Sequence, residues 1–344
     1  MKKTVKWTAA ALGVLLLGMV AAELWRQYYD RKALNFTERF ELFVHPWMEP
    51  ESVLDSLLST GKVRNVRSLQ RAFRSQGAAE EVKVGHYTVD PSSSSVYVAR
   101  MLRKGWQTPV RLTLAGSIRT KGVLARKIGA QMQVDSADVA AFALSPDSLA
   151  RFGTDTVRLF CMVIPDTYQV YWTASVSEIF ALFKNAHDAY WTEERVRKAS
   201  AQGLTPEEVS ILASIVDGES HYGPEQPTIA GVYLNRLRSG MLLQADPTVA
   251  YCFGYRLSRI LTRHLEVDSP YNTYKYAGLP PGPISCPPKS CLDAVLNAEH
   301  HDFLYFCADP SFNGTHRFAA SYSDHLANAR AFQRALTARQ RAQS

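Results

Sequence analysis

The chain has 344 residues, 46% of them hydrophobic and 21% charged, a globular composition that argues against a disordered or fibrous chain. Thirty-nine Lys and Arg against 32 Asp and Glu give a net charge of +7. Residues 1–32 hold six Lys/Arg and two Asp/Glu, so only +3 of that charge belongs to the rest. An excess that small, without a basic stripe interleaved with aromatics, excludes a nucleic-acid footprint.

In chain order, Lys2, Lys3 and Lys6 precede an uncharged run from Trp7 to Ala22. The run is slightly short of the roughly 17–25 residues of a spanning helix, although Trp7 and Trp25 suit the two interfaces. Lysines before the run favour an N-terminus inside and a body exported across the membrane. Val20, Ala21 and Ala22 also suit a signal-peptide cleavage site, so a removed leader competes with a retained anchor. Residues 26–35 read as a polar neck.

Alternation over Phe40–Val44 is followed by helical spacing of Val53, Leu54, Leu57 and Leu58, and by a second helix over Ser68–Phe73. Val84–Val89 reads as a strand, Tyr97–Leu102 as a helix closed by Gly105, and Val110–Leu114 as a strand. Short strands bracketing helices predict a small α+β unit, with a boundary at Gly116. Beyond it, Val123–Gly129, Ala137–Leu144 and Val176–Ala189 are predicted helices. The apolar run Val157–Ile164 is expected to be a buried strand.

Thr205, Pro206 and Glu208 announce a further helix, with a cap, a proline at the first position and a capping box. Val209, Leu212, Ile215, Val216 and Glu219 share one face of it. Asp217 is expected about 200° away, on the opposite face. A carboxyl at the end of an apolar face is kept protonated by burial, which is what a general acid needs. The competing reading is a helix-end Glu turned to solvent. Gln226–Arg238 is the next predicted helix, Asp293–Ala298 a short one, Phe303–Ala308 a buried strand and Tyr322–Gln340 a closing helix.

Five cysteines, with no Cys-x-x-Cys and no His pair at ligand spacing, give no metal site. Cys286 and Cys291 could close a small loop in an oxidising compartment, or all five serve as small buried hydrophobes.

Glu219-Ser220, then Gly240 with Gln244, Asp246, Pro247 and Thr248, then Tyr271-Asn272 with Tyr274 follow in order. Pro165-Asp166-Thr167-Tyr168 stands upstream and His316-Arg317-Phe318 with His325 downstream. This set resembles the MltG (YceG-like) endolytic murein transglycosylases, themselves similar to lysozyme-like lytic transglycosylases. The likeness is strong over 205–285 and weak before 110. Asp217 replaces the first residue of the family's usual Glu-x-Glu, and Cys286-Pro287-Pro288 its Asn-Pro-Gly.

The resemblance implies an α+β protein with three parts. Residues 1–35 form a cytoplasmic tip, transmembrane anchor and neck. Residues 36–116 form a LysM-like module, and 117–344 a catalytic domain with a lysozyme-like helical site. It implies Glu219 as catalytic acid, with Gln244, Asp246, Thr248, Tyr271, Asn272 and Tyr274 binding substrate. Gln244 suits N-acetyl groups, and the tyrosines and Asn272 a sugar groove. Asp246 reads equally as a helix cap. The Gly278–Ile284 loop reads as a rigid cleft wall. The implied partners are nascent peptidoglycan strands, the inner membrane and the peptidoglycan synthases, with no cofactor. The implied reaction joins the muramic C6 hydroxyl to its own anomeric carbon, leaving 1,6-anhydro ends. A muramidase-type hydrolase using Asp246 and a non-catalytic glycan-binding scaffold are the alternatives.

Overall fold

The computed structural model describes residues 2–343, except for the side chains of 2–6, 8–10 and 342–343, which include the three N-terminal lysines. The chain divides into two units, Met1–Leu112 with Gln169–Ala174, and Thr113–Tyr168 with Ser175–Ser344. Both are helix-rich, and the described residues form three two-stranded sheets, so the fold class is α+β.

The first unit opens with one unbroken helix, α1 (Lys2–Lys32). The expected polar neck is largely the last turns of this helix. Asp30 is the reason: it is 7% exposed, and its carboxylate accepts from Arg71 Nε at 2.9 Å and Nη2 at 2.6 Å. Ser68 Oγ donates to the same group at 2.6 Å. These bonds pin α1 to α3 (Val66–Ser75); β1 (Phe40–Val44), α2 (Pro50–Ser59), β2 (Gly85–Val89), α4 (Ser95–Lys104) and β3 (Val110–Thr113) complete this part of the chain. β1 pairs antiparallel with β2, Leu42 facing Tyr87. Leu42 and Val44 point into a core with Val53, Leu57, Leu69 and Phe73, as the alternation predicts. Gly105 ends α4 with φ 70, a conformation that costs glycine little. Among the described residues no helix is long and apolar enough to cross a membrane.

In the second unit α5 (Lys121–Gly129), α6 (Ser136–Leu144), α7 (Pro146–Ala150) and α8 (Leu159–Met162) precede β4 (Thr167–Val170). The run Val157–Ile164 is therefore not a strand; its centre is the single helical turn α8, since an apolar run alone does not distinguish the two. Then come α9 (Val176–Tyr190), α10 (Glu193–Ala201), α11 (Pro206–Glu219), α12 (Gln226–Arg238), α13 (Asp246–Cys252) and α14 (Lys289–Leu296). β5 (Tyr305–Ala308) and β6 (His316–Ala319) form a hairpin, and α15 (Tyr322–Gln343) closes the chain. β5 is only half-buried, against expectation.

α11 is the axis of this unit. It packs against α12, α13 and α14, and every residue from Val209 to Val216 is buried. It is thus a central helix rather than a two-faced one. Its two buried serines are satisfied internally, Ser210 on Pro206 O and Ser214 on Ile211 O. All five cysteines are free, and Cys161, Cys286 and Cys291 are buried; the 286–291 bridge is not formed.

Candidate active site

The capping box is present as predicted: Glu208 N donates to Thr205 Oγ1 at 3.2 Å and Thr205 N to Glu208 Oε2 at 2.8 Å. This fixes the start of α11, and 14 residues later the helix delivers Glu219 to the meeting point of two cavities. One, of about 250 Å³, includes Arg119, Asp217, Asp246, Tyr255 and Ser285 in its lining. The other, of about 620 Å³, includes His221, Tyr222, Phe312, His316 and Phe332. Glu219 lines both.

Tyr233, on α12 and fully buried, donates its hydroxyl to Glu219 Oε1 at 2.7 Å. Burial of the carboxyl is the largest influence on it, and the negative charge of Asp246 adds to it; the Tyr233 bond and the Arg236 charge oppose them. The balance raises its pKa to about 7. Arg236 is itself 8% exposed and bound to carbonyls, Nε to Leu304 O and Nη1 to Leu243 O. It acts on Glu219 through its field rather than as a direct partner.

Asp217 corrects the face count. It lines the same cavity as Glu219, and burial raises its pKa as well, against the charge of His221 and a bond from Cys291 Sγ–H at 3.8 Å. Gly218 between them has no room for a side chain: a Cβ would lie 2.6 Å from Pro247 Cβ. That contact seats the start of α13, and hence Asp246, against the end of α11.

Asp246 is the first residue of α13 and caps nothing. It is exposed, and its Oδ1 accepts from Tyr274 OH at 2.7 Å. Gln244, two residues earlier, is exposed with φ 51. Thr248 and Asn272, expected among the substrate-binding residues, are both 0% exposed. Thr248 Oγ1 bonds Ala245 O and Thr273 Oγ1. Asn272 Nδ2 donates to Leu265 O and Val267 O while its Oδ1 accepts from Tyr274 N. They brace the wall that carries Gln244, Asp246 and Tyr274. Tyr271 packs on Tyr251, ring centroids 4.5 Å apart, and lies outside the linings of both cavities.

Sequence reasoning missed Arg119, Tyr255 and Ser285, which come from separate loops and share no local pattern. It also left His316 unassigned. Glu225 grips that residue twice, accepting from its backbone N at 2.8 Å and lying 3.0 Å from Nδ1. One signal is structural: among the described residues the non-glycine residues with left-handed backbone are Gln244, Tyr255 and Phe312, all at these cavities or beside Asp246. Such strain collects at functional sites.

The described residues thus define a class, an α+β protein with a half-buried acid of raised pKa where two cavities meet. The chain belongs to the YceG-like family, whose model matches residues 42–331. Relatives named endolytic murein transglycosylase include one of Bacillus subtilis (strain 168), 38% identical over 138 residues, 40% of this chain and 36% of the relative. Another, of Streptococcus pneumoniae serotype 2 (strain D39 / NCTC 7466), is 27% identical over 288 residues, 72% of this chain and 50% of the relative. The chain therefore spans half or less of the length of these relatives. The crystal structure of a YceG-like protein of Listeria monocytogenes matches with a TM-score of 0.54 at 26% identity, covering 84% of this chain and 98% of that one.

Proposed function

We propose that this chain is an endolytic peptidoglycan lytic transglycosylase that cuts between N-acetylmuramic acid and N-acetylglucosamine in nascent strands. The observation that carries this reading is Glu219, a carboxyl raised to about 7 where two cavities meet. An acid of that pKa is half protonated at neutral pH and exchanges its proton easily in either direction. It gives the proton to the departing glycosidic oxygen. The muramic C6 hydroxyl bonds to the anomeric carbon, and the Glu219 carboxylate takes that hydroxyl's proton. The acid is restored, no water is consumed, and the bound sugar supplies its own nucleophile at high effective concentration. The names of the relatives support the same reaction.

The N-terminal helix attaches the protein to the inner membrane with its body outside. Its support is the exposed apolar stretch that includes Leu12, Leu15, Leu16, Leu17 and Met19, behind the basic start. The arrangement β1–α2–α3–β2 supports a LysM-like module, and the body acts beside the peptidoglycan synthases. Asp246 favours a second reading. It shares the Glu219 cavity, and in a hydrolase it would position water.

Digestion of purified glycan in heavy-oxygen water separates the two. Transglycosylation leaves unlabelled 1,6-anhydro ends, about 18 Da lighter than hydrolysis products made in ordinary water and about 20 Da lighter than those made in heavy-oxygen water. Heavy oxygen at the new reducing ends would instead establish a hydrolase. Absence of cleavage would leave a glycan-binding scaffold.

A further inference from the structure

Segment 284–286 is held from several sides. Ile284 N donates to Ser214 Oγ at 3.0 Å and Ile284 O accepts from Tyr255 OH at 2.5 Å. Cys286 N donates to Ile118 O at 2.8 Å, and Cys286 Sγ–H bonds Val163 O at 2.9 Å. Between these anchors, Ser285 is 4% exposed; its Oγ makes no hydrogen bond of good geometry, and the acceptor nearest to it in effect is the Asp217 carboxyl, whose pKa burial raises and Ser285 and Arg119 both help to lower. A buried hydroxyl without a well-formed bond costs stability unless something else satisfies it.

The Ile118–Cys286 bond places Arg119 next to Ser285. Arg119 is exposed, and its guanidinium lies 4.8 Å from the Tyr255 ring centroid. That ring is fixed by the Ile284 bond and by a left-handed backbone at φ 58. Arg119 has no carboxylate at ion-pair distance among the described residues. Both side chains line the cavity that Glu219 shares. A guanidinium over a ring, beside a buried hydroxyl that lacks a well-formed bond, matches a carboxylate: two N–H donors and one O–H donor for two oxygens.

We propose that Arg119 and Ser285 form a carboxylate-binding site, and that its ligand is a free carboxylate of the peptide carried on the muramic acid sugar. This rests on the peptidoglycan reading above and adds to it that the enzyme recognises peptide-bearing strands over stripped ones. Arg119 is then a specificity residue, separate from the acid.

The test compares kinetics on peptide-bearing strands with the same strands stripped by an amidase. Arg119→Gln should raise KM about tenfold or more on peptide-bearing strands and change it less than about threefold on stripped ones. Ser285→Ala should act in the same direction by less, without unfolding the chain, since it removes a hydroxyl that lacks a well-formed bond. Equal losses on both strands would overturn the proposal and make Arg119 a counter-charge for Asp217; no change on either would overturn it too. A binding arm needs no cleavage. The Glu219→Gln chain, with and without Arg119→Gln, is titrated with a peptide-bearing disaccharide and with the same compound after amidation of its carboxylates. Arg119 should matter only for the free carboxylates; indifference to amidation would contradict the site. If wild type cleaves neither strand, the transglycosylase reading fails while this arm still decides the carboxylate site.

Discussion

Two carboxyls, Asp30 in the first unit and Glu219 in the second, are treated in opposite ways. Burial alone would raise the pKa of Asp30, but the bonds from Arg71 and Ser68 outweigh it and hold the group below its usual range. Glu219 is half-buried where the cavities meet and receives one tyrosine hydroxyl and no cation in contact, so desolvation wins and its pKa rises to about 7. The first carboxyl is spent on holding a helix in place. The second is left short of partners, so it is costly to ionise in the folded protein and available for proton transfer. Pairing, rather than depth, separates a structural acid from a reactive one.

The largest break in this comparison is Glu219→Gln. Glycan cleavage should fall by at least about 100-fold, the usual contribution of an acid–base group. Stability should move the other way. A folded pKa above the unfolded one means that stability is fully present below about 4.5, drains as pH rises toward 7 and stays lower above that. The Gln variant escapes that loss, so its unfolding free energy at pH 8 should exceed wild type by roughly 2–3 kcal/mol, with the gain vanishing near pH 4. Denaturant melts at both pH values check this.

Arg71→Ala should do the reverse in the first unit. Stranding Asp30 should cost about 1–2 kcal/mol, less than a fully buried pair because Arg71 is partly open to water. The Asp30 pKa is depressed, so this contribution is present above the unfolded pKa and is lost as pH falls through the folded one. The difference between Arg71→Ala and wild type should therefore shrink in acid, while cleavage per folded molecule is unchanged.

Two finer substitutions sharpen the Glu219 side. Tyr233→Phe removes a bond that favours the ionised carboxyl, so the alkaline limb of kcat/KM should move up by about one pH unit. Gly218→Ala pushes Pro247 and with it Asp246, so activity should drop while the melting temperature changes little. Retained activity would mean that the α11–α13 contact does not set the site.

What the sequence disclosed follows the reach of each signal. The Thr205–Glu208 capping box is local and emerges as read. Face counting on α11 failed at Asp217, because a helix buried on all sides has no single inward face and its exposed end opens onto one cavity. Thr248 and Asn272 entered through the family resemblance, and a motif match does not tell a side chain that touches a ligand from one that holds the wall behind it. Arg119 and Ser285 were illegible, and His316 was visible as a motif but without a role, since only tertiary folding brings residues 119, 285 and 316 to the surroundings of residue 219.

The most direct measurement is the titration of Glu219 itself. Carboxyl infrared difference spectra between the wild-type chain and Glu219→Gln, collected from pH 4 to 9, isolate its protonated band. The account predicts that this band disappears with a midpoint near 7, alongside the fall of kcat/KM. A midpoint near 4.5, the ordinary value for a glutamate, would show Glu219 solvated and ionised at neutral pH and would remove the basis for its role as the acid.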